Sequence, residues 1–307
     1  MGWREAPEAE PFANAMTGLR ARAARTLQAA AAACRPVAWL DALTPHVGMR
    51  SRCDIAYGAH PRQRLDLHLP PGTPRALVVF FYGGSWQDGD RRDYRFVSKA
   101  LASLGCATVV PDYRVFPDTA FPGFMADAAA AVAWAHARSP SLGVDPRRLF
   151  LMGHSAGAHI AVLLATDPDY LRALGSPGRV LAGAIGLAGP YDFLPLRDPM
   201  LERVFPEATR HASQPLHFVR GGEPPLLLAS GRRDRTVDPG NSARMAARLR
   251  AVGSPVVERY YPGIGHLLVL AALGAPLRRL APTLRDVAAF IDANLGSLRD
   301  GAVGASG

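Results

Sequence analysis

The sequence predicts an α/β fold, a mostly parallel twisted sheet of about eight strands with helices on both faces. Three observations lead there. Short, continuously apolar runs such as "ALVVFF" (76–81) and "CATVV" (106–110) recur along the chain, as strands covered on both faces require. Segments of helical spacing lie between them, and that alternation builds parallel βαβ units. No internal repeat or low-complexity linker divides the 307 residues, so one large domain accommodates them.

Taken in order, residues 53–58 and "RLDLHL" (64–69) open the domain. The second alternates apolar and polar, like a half-exposed strand, and the two are close enough to form an antiparallel edge pair. "ALVVFF" follows, then a helical pattern from Asp93 to Leu104 that stops at Gly105, then "CATVV". Pro122 to Arg138 reads as a helix, with Pro122 acceptable in its first turn. "RLFLM" (148–152) is a strand and Ser155 to Thr166 a helix. Strands are expected at 181–189, 224–230 and 255–261, with a helix from Pro239 to Val252 ahead of the last. Thr283 to Asn294 closes the domain as a helix. Gly189 to Glu223 carries Pro, Arg and His without a strong period and is the candidate for a short lid. The domain therefore spans 51–297, after an extension over 1–50 and before a Gly/Ala/Ser tail at 298–307 that should be loose.

The net charge of +9 invites a nucleic-acid reading, but its distribution argues against one. Lys99 is the sole lysine, and arginine pairs such as Arg91-Arg92 and Arg147-Arg148 never grow into a basic block. Cys34, Cys53 and Cys106 are too few and too far apart for a disulfide framework or a zinc site. No run of 18 apolar residues suggests a membrane span. Met16 to Pro36 reads as an amphipathic helix or leader; a lipoprotein signal ending at Cys34 is the alternative, with Arg20, Arg22 and Arg25 ahead of a weak, Ala-rich core. The expected location is cytoplasmic, with membrane anchoring through Cys34 or export as the alternative.

The chemistry centres on Gly153-His154-Ser155-Ala156-Gly157, which follows a strand and opens a helix. A G-x-S-x-G turn in that setting lifts its serine hydroxyl clear of the sheet and sets helix N–H groups behind it. A serine needs a base. His266, after the last strand in "YYPGIGHLL", is expected in a Gly-freed loop at the same sheet edge as Ser155. His154 and His159 read as packing residues. The orienting carboxylate is Asp234 in "SGRRDRTVD", with Asp238 and Asp192 as alternatives; Asp238 stands before Pro239, where a helix N-cap is the competing role. An oxyanion needs backbone donors. Ala156 supplies one, and Gly84 and Ser85, in the loop after "ALVVFF", supply the others, with Trp86 walling the site or packing under the loop. Asp112 and Arg114 are expected to pair across a tight turn.

These stretches, with "PDYRVFPDTAFP" (111–122) and "GPYDF" (189–193), resemble the α/β-hydrolase esterases of the hormone-sensitive-lipase-like and kynurenine-formamidase-like groups. The resemblance implies an α/β-hydrolase fold, a triad of Ser155, Asp234 and His266, and an oxyanion hole of Gly84, Ser85 and Ala156. One departure stands out: Tyr82 occupies the place where the family's loop begins with histidine. A phenol can brace the loop but is expected to lack the two-sided bonding of an imidazole. The expected activity is hydrolysis of small carboxylic esters with short acyl groups, through an acyl-enzyme and with no metal or organic cofactor. An arylformamidase-like amide hydrolase on the same residues is the alternative; a non-catalytic binding protein is the reading of another class. Neither natural substrate nor oligomeric state is legible.

Overall fold

The structure, a computed structural model, describes residues 38–46, 48–173 and 180–303. The leader reading that ends at Cys34 lies outside the described residues, as do residues 304–307 of the expected tail. Leu40 onward forms one compact unit. It begins earlier than residue 51 because helix α1 (Ala38–Leu43) docks: Leu40 is buried, and Lys99 Nζ donates to the Asp41 carbonyl at 2.6 Å and pairs with its carboxylate at 2.9 Å.

Eight strands form one sheet: β1 (Arg50–Ala56), β2 (Arg64–Leu69), β3 (Ala76–Phe81), β4 (Cys106–Pro111), β5 (Leu149–His154), β6 (Gly183–Leu187), β7 (Leu226–Gly231) and β8 (Val256–Tyr261). Their order is β1-β2-β4-β3-β5-β6-β7-β8. β1, β2 and β4 pair antiparallel, and every pair from β4-β3 onward is parallel. β3 to β7 are buried at every position, which explains their unbroken apolar runs. β1 is exposed and carries Arg50, Arg52 and Asp54, charges that discourage pairing with another chain at an edge.

The covering helices are α2 (Arg95–Ala102), α3 (Gly123–Arg138), α4 (Ala156–Thr166), α5 (Pro199–Val204), α6 (Glu207–Arg210), α7 (Gly240–Ala251), α8 (His266–Ala271) and α9 (Thr283–Val303). Two differ from expectation. His266 opens a short helix rather than lying in a loop, since "HLLVLA" buries Val269, Leu270 and Ala271. α9 runs past Asn294 to Val303, because Gly296 and Gly301 each weaken a helix by roughly 1 kcal/mol without the ring clash with which proline ends one. α5 and α6 lie in the segment read as a lid, which is anchored below: Phe205 is buried, and Phe121 N donates to the Val204 carbonyl at 2.8 Å. Among the described residues no helix is long and apolar enough to cross a membrane.

Candidate active site

Because β3, β5, β7 and β8 are parallel within one sheet, the loops after them open on the same edge. Ser155 stands between β5 and α4 with φ +55° and ψ −121°. A non-glycine residue is seldom found there, and the strain costs on the order of 1–3 kcal/mol. The surroundings enforce it. Ser155 N donates to the Leu187 carbonyl on β6 at 2.9 Å. A Cβ at Gly153 would lie 2.1 Å from the Gly157 carbonyl oxygen, and one at Gly157 2.0 Å from that of Phe81. The two glycines thus let helix and strands pass at backbone distance.

The structure brings Ser155, His266 and Asp234 into one hydrogen-bonded chain. His266 Nε2 lies 2.9 Å from Ser155 Oγ, and His266 Nδ1 lies 2.7 Å from Asp234 Oδ2. The carboxylate accepts, so Nδ1 carries the proton and Nε2 is left to accept from the serine hydroxyl. The Asp234 side chain is fully buried, and its other oxygen accepts from Thr236 N and Val237 N at 2.9 Å each. The alternatives lie elsewhere. Asp238 accepts from Gly240 N in front of α7, and Asp192 pairs with Arg244.

The loop after β3 meets the elbow closely. A Cβ at Gly83 would stand 3.1 Å from Ser155 Cβ. Gly84, Ser85 and Trp86 follow with φ of +132°, +53° and +59°, closed by Gln87 N and Asp88 N donating to the Gly84 carbonyl. Among the described residues, the N–H groups of Gly84, Ser85 and Ala156 have no protein acceptor.

Tyr82 corrects the expectation of one-sided bonding. Its hydroxyl donates to Asp112 Oδ1 at 2.7 Å and accepts from Arg62 Nη2 at 3.1 Å. Its ring stacks between Tyr94 and Tyr113, and Tyr113 donates back to the Tyr82 carbonyl at 2.8 Å. The expected Asp112–Arg114 pair is absent. Arg91 takes Asp112 together with Asp66, while Arg114 grips Asp127 with a two-pronged guanidinium. Pairing Asp112 with Arg114 would have left the buried Asp127 without a counter-charge, whereas Arg91 still takes Asp112 along with Asp66 and Asp54. Sequence reasoning missed this cluster; the available signal was charge in apolar settings, Asp66 within "RLDLHL" and Asp127 within an Ala-rich helix.

A cleft of about 830 Å³ opens over Ser155, between Trp86 and Gln87, the β6 exit at Phe193 and Leu194, and Val237 beyond Asp234. Trp86 lines the cleft and packs under the loop. The indole is buried on Phe205 at 4.7 Å, with Phe124, Phe193 and His159 around it. His159 packs as expected, with Nε2 donating to the Ser213 carbonyl at 2.7 Å; burial holds its pKa down at about 4. His154 is buried too, but it also reaches His266: its Nε2 lies 3.0 Å from the His266 carbonyl.

The chain is similar to known proteins. Residues 65–249 match the BD-FAE family. Esterase LipC of Mycobacterium tuberculosis is 34% identical over 264 residues, which cover 78% of this chain and 64% of that one. The isoprenylcysteine alpha-carbonyl methylesterase ICME of Arabidopsis thaliana is 29% identical, over 70% of this chain and 56% of that one. The chain thus spans about half to two-thirds of the length of these two relatives. Among solved structures, a propionate-bound thermophilic esterase from Thermogutta terrifontis is 27% identical, with a TM-score of 0.60 over 73% of this chain and 87% of that one. Esterase B of Lactobacillus rhamnosis, inhibited by a tributyrin phosphonate, is 22% identical with a TM-score of 0.72 over 97% and 99%, a likeness of fold.

Proposed function

This chain belongs to the BD-FAE family, and from that premise we propose that it is a serine hydrolase of small carboxylic esters with short acyl groups. The observation that carries the reading is the Asp234–His266–Ser155 chain of hydrogen bonds, joined at a serine in a strained strand-to-helix turn. His266 Nε2 takes the hydroxyl proton as Ser155 Oγ attacks the acyl carbon. Asp234 holds the ring in the required tautomer and stabilises the imidazolium. The carbonyl oxygen becomes an oxyanion facing the N–H groups of Gly84, Ser85 and Ala156, whose donors are not engaged within the protein. The helix behind Ala156 adds its positive end. His266 then protonates the leaving alcohol, and water repeats the cycle on the acyl-enzyme.

Two observations support short acyl groups. Trp86, packed on Phe205, lines the cleft alongside Ser155, and the Thermogutta terrifontis relative holds propionate. The test pairs turnover of p-nitrophenyl esters of increasing chain length with fluorophosphonate labelling. We expect acetate to butyrate to be preferred over octanoate, and label on Ser155 alone. Ser155→Ala should lower kcat by about 10⁴-fold or more without loss of fold. Absence of labelling, or turnover that survives Ser155→Ala, would overturn the proposal.

A further inference from the structure

His154 lies where the parts of the site meet. It ends β5, and its peptide bond leads into Ser155. Its Nε2 is 3.0 Å from the His266 carbonyl, with the two rings 4.8 Å apart. On another side, a Cβ at Gly83 would stand 3.2 Å from His154 Nδ1, so the ring also abuts the loop that bears Gly84 and Ser85. A carbonyl oxygen can only accept, so Nε2 carries the proton.

We propose that His154 is a positioning residue: its Nε2–H fixes the main chain of the base, and its ring spaces that main chain from the Gly83 loop. Base and oxyanion donors thereby keep one registry about Ser155. The proposal rests on the ester-hydrolase reading above. Volume alone would not do this, because an apolar side chain of similar size removes the side-chain donor that ties the His266 carbonyl to β5. Charge matters as well. The groups facing His154 are His266 and Asp234, and burial together with His266 holds the His154 pKa down at about 3. The ring is therefore neutral at working pH and does not oppose the positive charge that develops on His266.

The experiment compares His154→Gln, which keeps an N–H donor, with His154→Leu and His154→Met, which do not. Kcat and KM for p-nitrophenyl butyrate and the melting temperature are measured for each. The variants are read against a wild type whose turnover Ser155→Ala has abolished, so failure of the hydrolase reading is seen separately and first, and it takes this inference with it. Among folded variants, kcat should follow the donor: within threefold of wild type for Gln, at least tenfold lower for Leu and Met, with KM within threefold throughout. Loss in Gln equal to that in Leu or Met overturns the proposal, as does a folded Leu or Met variant at wild-type kcat or a loss confined to KM. Failure of both non-donors to fold also overturns it, since the donor would then serve folding rather than registry.

Discussion

The two walls of the cleft are held by different means. The wall that carries Asp234 and His266 hangs on backbone bonds between neighbouring loops: Arg232 N to the Tyr261 carbonyl and Arg233 N to that of Ile264, each at 2.9 Å, with Asp234 seated in a turn of its own residues. The wall formed by the loop after β3 hangs on side chains from distant segments. Arg62 donates to the Gly89 carbonyl at 3.0 Å and to that of Tyr113 at 2.9 Å, and Tyr82 ties the loop to Asp112 and thence to Arg91. Backbone ladders survive side-chain replacement, whereas a buried ionic network fails when one member is lost. Damage to the first wall should therefore appear in the chemistry, and damage to the second in stability.

The sharpest test of that contrast is Asp234→Asn. It should lower kcat by about 10⁴-fold, the loss expected when the base is left in the wrong tautomer, while the melting temperature moves by a few degrees at most. Next comes Arg91→Met. Asp66 and Asp112 would be left buried without their cation, at a cost to stability of about 3–5 kcal/mol by urea titration. The kcat of the remaining folded enzyme should fall less than in Asp234→Asn. A fold unaffected by Arg91→Met would break the comparison. Tyr82→Phe is milder: it removes a hydroxyl bonded on two sides, which should cost about 1–3 kcal/mol and lower kcat by up to tenfold.

A further test is a pH dependence shared across the molecule. His68, His154 and His159 are buried, and burial holds their pKa values at about 4, about 3 and about 4. The unfolded chain binds protons at these residues near pH 6.5, and the folded one does so much lower. Stability should hold above pH 6.5 and decline as pH falls from there towards 4. Melting curves between pH 7.5 and 4.5 would check this, and His68→Asn should flatten the slope. A melting temperature that rises on acidification would contradict the assignment.

The same contrast decides what the sequence could disclose. Ser155, Asp234 and His266 were legible as candidates because each follows a strand of the parallel part of the sheet, and strand direction alone sends their loops to one edge. The strands themselves were legible to within about three residues, since β3 to β7 are apolar at nearly every position. The bracing of Tyr82 was not legible, because Arg62, Arg91 and Asp112 come to it from segments that only the folded sheet juxtaposes. The Asp112–Arg114 expectation failed for that reason: nearness along the chain was weighed, and buried charges elsewhere had the stronger claim. His266 in a helix was missed because the glycines before it read as loop, while the burial of Val269 and Leu270 depends on tertiary contacts.

Lys99 supplies a practical consequence. The chain's one ε-amine is folded beneath α1 against Asp41. Activated esters therefore meet no accessible lysine side chain on which to leave a stable amide. In a mass spectrum taken during turnover, an added acyl mass would be largely free of the lysine adducts that blur such measurements in other enzymes.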